Sequence, residues 1–136
     1  MNQEGYHLVG NSCYYFETTE LTWENAKTNC MNKLAGGKLF EPKSLAENKM
    51  VWEKAKSIDG NDARAYWIGV TDRVKEADFR YDSNNLEIPF SIIWYTSYGT
   101  HAGGKFRDCV GITYTGRWYD GPCSNFKYRS ICEIKA

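Results

Sequence analysis

Five cysteines, at positions 13, 30, 109, 123 and 132, constrain this chain more than any other feature. None forms a C-x-x-C pair, and only two histidines are present, so the ligand spacing of a zinc site is missing. Disulfides are the better use for so many thiols, and disulfides persist in oxidising compartments. The chain is therefore expected outside the cell, secreted or as the ectodomain of a surface protein. An odd count leaves one thiol over. Spacing alone does not choose among the pairings.

At 136 residues the chain has the length of one domain, and a single domain over 1–136 with one core is expected. Seventeen basic residues balance seventeen acidic ones, which removes the electrostatic footprint of a nucleic-acid or anionic-membrane binder. The longest apolar run, near Ala65 to Val70, falls far short of the roughly 20 residues of a membrane span. No stretch near Met1 has the form of a signal peptide. The cysteines favour a leader already removed over another export route.

Read along the chain, the first third predicts a short strand and two helices. Cys13-Tyr14-Tyr15-Phe16 has strand composition. Thr22 can cap a helix in which Trp23, Ala26 and Cys30 recur at helical spacing. Ser44 and Glu47 form a capping box, Pro42 stops any helix upstream, and Gly60 stands where a C-terminal glycine belongs. Val51, Ala55 and Ile58 supply the apolar face between them. Ala65 to Val70 reads as a strand buried on both faces. Shorter strands are expected at Phe79-Arg80-Tyr81 and Val110 to Thr113, a turn at 114–117, and a last strand through Tyr128, Ser130, Cys132 and Ile134. Residues 82–108 show no periodicity, and a loop of that length inside a compact domain is normally functional or disordered. Phe90, Trp94, Tyr95, Tyr98 and Phe106 argue against disorder.

These pieces, in this order, resemble a C-type lectin-like domain. The match rests on Trp67-Ile68-Gly69-Val70, on Trp23-x-x-Ala26-x-x-x-Cys30 and on Cys109-Val110. It continues with Gly116-Arg117-Trp118-x-Asp120-x-x-Cys123 and ends on Ile131-Cys132-Glu133. The resemblance implies an α+β fold: two helices packed on small antiparallel sheets, with a long irregular loop. It also implies the disulfides Cys30–Cys132 and Cys109–Cys123. Cys13 lacks the upstream partner found in longer members, so it is read as a buried small residue, with a disulfide-linked dimer as the alternative.

Sugar-binding members of that family hold sugar through calcium, using a Glu-Pro-Asn or Gln-Pro-Asp motif, a glutamate and an Asn-Asp pair. Here the motif position reads Tyr98-Gly99-Thr100, the glutamate is Arg107, and the pair is Tyr119-Asp120. Only Asp120 survives. Calcium requires oxygen donors, which a guanidinium is not. At about 4 Å and an effective dielectric of about 20, unit charges interact by roughly 4 kcal/mol, and a guanidinium facing a divalent ion feels about twice that. The bridging site is expected to be absent. Glu87-Ile88-Pro89 is set aside as a displaced motif because it precedes Trp94 and carries Ile between its two letters.

A second calcium site of the family is better matched. Thr71-Asp72-Arg73-Val74-Lys75-Glu76 fits its first run and Asp108 its last acidic ligand, with His101 replacing a further acid. Two readings stand side by side: a weak calcium site on Asp72, Glu76 and Asp108, or solvated turn acids screened by Arg73, Lys75 and Arg107.

Function is expected to be recognition. The first reading is a glycan-binding module without the bridging calcium, using Tyr95, Tyr98, Thr100, His101, Arg107, Tyr119 and Asp120. The tyrosines would stack on sugar C–H faces and the others would hydrogen-bond. Trp67, Trp94 and Trp118 are assigned to the core. The alternative is a protein-binding domain of the receptor or venom-subunit type, since Tyr, Trp and Arg dominate protein interfaces. An ice-binding role would rest only on Thr96, Ser97 and Thr100. Catalysis would need more than His7 beside Cys13, and no nucleophile elbow, HExxH or phosphate-cradling loop is present.

Overall fold

A computed structural model of the chain describes residues 6–33, 36–60, 65–95 and 108–135. Its elements run β1 (Tyr6–Val9), β2 (Ser12–Leu21), α1 (Trp23–Lys33), β3 (Lys38–Leu39), α2 (Leu45–Asp59) and β4 (Tyr66–Thr71). They continue with β5 (Arg80–Tyr81), β6 (Cys109–Thr113), β7 (Arg117–Gly121) and β8 (Tyr128–Lys135). The α+β expectation holds.

Both helices begin at a side-chain cap, and α2 also ends at a glycine cap. Thr22 Oγ1 accepts from Asn25 N at 3.4 Å at the head of α1. In α2, Ser44 Oγ accepts from Glu47 N at 3.1 Å. Gly60, at φ 75°, closes the helix by donating its N–H to Lys56 O at 2.6 Å. That left-handed conformation is what a glycine after a helix supplies. The buried face of α2 differs from the expected one: it is Asn48, Val51, Trp52 and Ala55, while Ile58 is exposed. The Trp52 ring meets Tyr66 edge to face, with centroids 6.3 Å apart.

The strands join into one sheet in the order β1-β2-β8-β4-β6-β7, with β3 added beside β8 and β5 beside β4. Every pairing is antiparallel except β4 with β8, which is parallel through Tyr66–Arg129 and Trp67–Ser130. β4 is buried along its whole length, and its alternation separates two cores. Tyr66, Ile68 and Val70 face α2, Phe40 and Trp118; Trp67 faces Trp23, Cys30 and Cys132 under α1. Gly69 lets β3 close on this strand, because a Cβ there would stand 2.8 Å from Leu39 O and 2.9 Å from Glu41 Cγ.

Cys30 on α1 bonds Cys132 on β8, and Cys109 on β6 bonds Cys123 beyond β7. Cys13 is a free thiol with no exposed surface. A disulfide to a second chain through Cys13 would therefore require this thiol to become exposed. β1 itself was not anticipated: Tyr6 to Val9 is too short to show a period, and it forms by pairing with β2.

Candidate functional site

Two groups of side chains lie toward opposite ends of the paired strands β4, β6 and β7. The first is acidic. Asp72 follows β4 and Asp108 precedes β6, and the pairing of those strands brings them together: Asp72 N donates to Asp108 O at 3.1 Å. The turn after Asp72 returns Glu76, so that oxygens of Asp72, Glu76 and Asp108 lie within 4.8 Å of one another. Ala77, held at φ 67°, donates its N–H to Asp72 Oδ2 at 2.8 Å.

Asp72 is 2% exposed, and its Oδ1 is buried without a hydrogen-bond partner. Burial above all, then Asp108 and the charge of Glu76, pushes its carboxyl up to about 7, against the lowering effect of the Ala77 N–H. A buried carboxylate oxygen with no donor is what a cation would satisfy. Three hard oxygen donors of this kind suit calcium, which takes six to eight oxygens and fills the remainder from backbone carbonyls and water. Arg73, expected to screen these acids, points elsewhere: Nη1 lies 2.7 Å from Glu24 Oε1 and the guanidinium covers the Trp23 ring at 5.0 Å. The residues fit the ion.

The second group is aromatic. Residues 93–95 run alongside β7, with Tyr95 N donating to Trp118 O and Trp118 N to Ile93 O, both at 2.8 Å. Tyr95 thereby stands beside Tyr119, their ring centroids 6.5 Å apart and edge to face. Tyr114, in the turn between β6 and β7, stacks on Tyr95 at 5.5 Å with 9° between the ring planes. Tyr95 and Tyr119 are half-buried and Tyr114 is exposed. Tyr114 was missed in the sequence because its neighbours read only as a turn; it reaches the face through the fold. Trp118 is core as expected, whereas Trp94 is only partly buried and packs against the core edge.

Of the expected sugar-contacting residues, Tyr95 and Tyr119 come together and Asp120 lies next to them in β7, 1% exposed. Tyr98, Thr100, His101 and Arg107 lie outside the described residues.

The family model described as the lectin C-type domain matches residues 19–134. The chain belongs to this family. Human lithostathine-1-alpha is 31% identical over 137 residues, covering 97% of this chain and 77% of that protein. Mouse C-type lectin domain family 4 member G is 29% identical, covering 92% of this chain but only 40% of the relative's own length. The fold superposes on the human scavenger receptor C-type lectin carbohydrate-recognition domain with a TM-score of 0.81 at 22% identity, over 100% of both chains. A calcium-independent type II antifreeze protein matches with a TM-score of 0.77 at 26% identity, over 100% of this chain and 95% of that one. The domain is a recognition module of the C-type lectin kind.

Proposed function

We propose that this chain is a glycan-binding C-type lectin domain that holds its sugar without a bridging calcium ion. The observation that carries the reading is the cluster of Tyr95, Tyr114 and Tyr119 at the start of the loop that leads to Arg107. Three rings at that place offer faces and edges to the C–H surface of a sugar, and recognition sites of this kind combine such walls with a few polar groups. Tyr98, Thr100, His101 and Arg107 supply the polar groups, together with Asp120 of β7.

Two further points favour this over the calcium-bridged mode. Four of the five side-chain positions that would ligate the bridging ion read Tyr98, Thr100, Arg107 and Tyr119. A neighbour of the same fold is described as calcium-independent. Calcium has a separate role here: bound by Asp72, Glu76 and Asp108 it would tie the turn after β4 to the strand that leaves the loop. The whole chain acts as one domain in an oxidising, extracellular setting, where its two disulfides persist.

The test is Tyr95→Ala and Tyr119→Ala, each verified as folded by its melting curve, against the best ligand from a glycan array. Each substitution is expected to weaken binding by about 1–3 kcal/mol, the range for an aromatic side chain central to a contact. Unchanged glycan affinity in both variants removes the tyrosine face from the site. An array without any glycan ligand turns the reading to protein recognition on the same surface.

A further inference from the structure

A cleft of about 430 Å3 opens between the turn that follows β4 and the segment 87–94, and none of the three clustered tyrosines lines it. Its apolar wall is Phe79, Ile88, Phe90 and Trp94, and its acidic groups are Asp78 and Glu87. The wall is rigid. Phe79 and Trp94 pack with ring centroids 4.8 Å apart, Phe90 meets Trp118 at 5.7 Å, and Phe90 and Trp94 both lean on the main core. The set-aside Glu87-Ile88-Pro89 segment thus supplies two of the residues around a cavity.

Arg80 fixes the acids. Its Nε lies 3.0 Å from Asp78 Oδ2, its Nη2 lies 3.4 Å from Glu87 Oε1, and its Nη1 donates to Asn85 O at 3.1 Å. One guanidinium against two carboxylates leaves a net charge of minus one, and the second oxygen of each acid remains an acceptor. Ionised carboxylates only accept hydrogen bonds, so a ligand here must donate them. An aromatic wall beside a net negative charge favours a cation over a neutral donor. The volume is that of a small-molecule site.

We propose that this cleft is a second glycan subsite selective for a sugar ring bearing a free, protonated amino group. Asp78 and Glu87 take the ammonium and a neighbouring hydroxyl, and Phe90 and Trp94 receive the ring's C–H face. The inference rests on the glycan reading above for its ligand class, while its residues are separate from the tyrosine face.

The experiment titrates a β-1,4-linked glucosamine dimer and its N-acetylated counterpart into the chain by calorimetry, in mildly acidic buffer where the amine is protonated. The parent protein, Glu87→Gln and Tyr119→Ala are compared. Glu87 is 79% exposed, so its substitution leaves the core intact. The parent is expected to prefer the free-amine dimer by roughly fivefold, as a charge-assisted hydrogen bond at an exposed position allows. Glu87→Gln should erase that preference, and Tyr119→Ala should retain it. Equal affinity for the two dimers, a preference that survives Glu87→Gln, or no binding of either dimer overturns the proposal. Binding of array glycans without either dimer defeats the cleft and leaves the tyrosine face standing. Preference for the amine dimer with an otherwise silent array supports the cleft and defeats the tyrosine face.

Discussion

Gly69, Asn48 and Asp72 each do something that only their chemistry allows. Gly69 is the glycine of the Trp-Ile-Gly strand, and a methyl group there meets the backbone oxygen of Leu39, which cannot swing away. Gly69→Ala is expected to cost about 1–3 kcal/mol, the range for forcing extra volume into a packed core. A denaturant titration measures it, and an unshifted midpoint would contradict the close approach of β3. Asn48 donates to Gly116 O and accepts from Trp118 Nε1, both at 2.8 Å, so that one buried amide joins α2 to the β6–β7 turn. Asn48→Leu strands an indole N–H and a carbonyl, and the loss should be about 2–5 kcal/mol, as two unsatisfied buried groups imply. Asp72 carries the pH dependence. Its folded carboxyl titrates at about 7, well above the ordinary carboxylate range, so between the two values the folded state holds the extra proton. Without calcium, the contribution of Asp72 to stability therefore falls as pH rises through that window. Calcium requires the carboxylate, so the rise in Tm on adding calcium should grow as pH climbs through about 7. Asp72→Ala should abolish that rise, and an increment equal on both sides of the window contradicts the site.

At the scale of elements, local chemistry was legible and long-range pairing was not. Ser44, Glu47 and Gly60 announce both ends of α2, because caps are made by residues close in sequence. Ser44→Ala is accordingly expected to cost about 1 kcal/mol in a thermal melt, the usual loss of a serine cap, and no change would show the cap to be idle. Reading β4 as buried on both faces succeeded because its residues are apolar without alternation. The buried face of α2 was misread at its end: Ile58 follows the helical period from Val51 and Ala55 but is exposed, while Trp52 and Asn48 are buried. β1, β3 and the alignment of residues 93–95 with β7 carry no local signal; their partners lie in distant strands. Tyr114 was overlooked for the same reason, while Tyr119 and the acidic triad were found through family spacing and Tyr95 as a loop aromatic left over once the tryptophans were assigned to the core.

For the whole molecule, two disulfides, one mixed sheet and two cores fix the strands that position the acidic and aromatic groups. The Cys30–Cys132 bond closes 102 residues and the Cys109–Cys123 bond 14. Loops of about 100 and about 15 residues gain roughly 5 and 3 kcal/mol in the chain-entropy model, comparable with the net stability of a small domain. The shorter bond also fastens the strands that carry Asp108 and Tyr119, which reduces the ordering that a ligand would otherwise have to impose. In this account calcium steadies the scaffold and does not touch the sugar. One measurement separates that claim from the calcium-bridged mode most directly: a glycan array probed with calcium and again after chelation, at a temperature well below the melting transition. Glycan binding that persists after chelation is the predicted result. Binding that appears only with calcium, and vanishes on chelation while the protein stays folded, would contradict it.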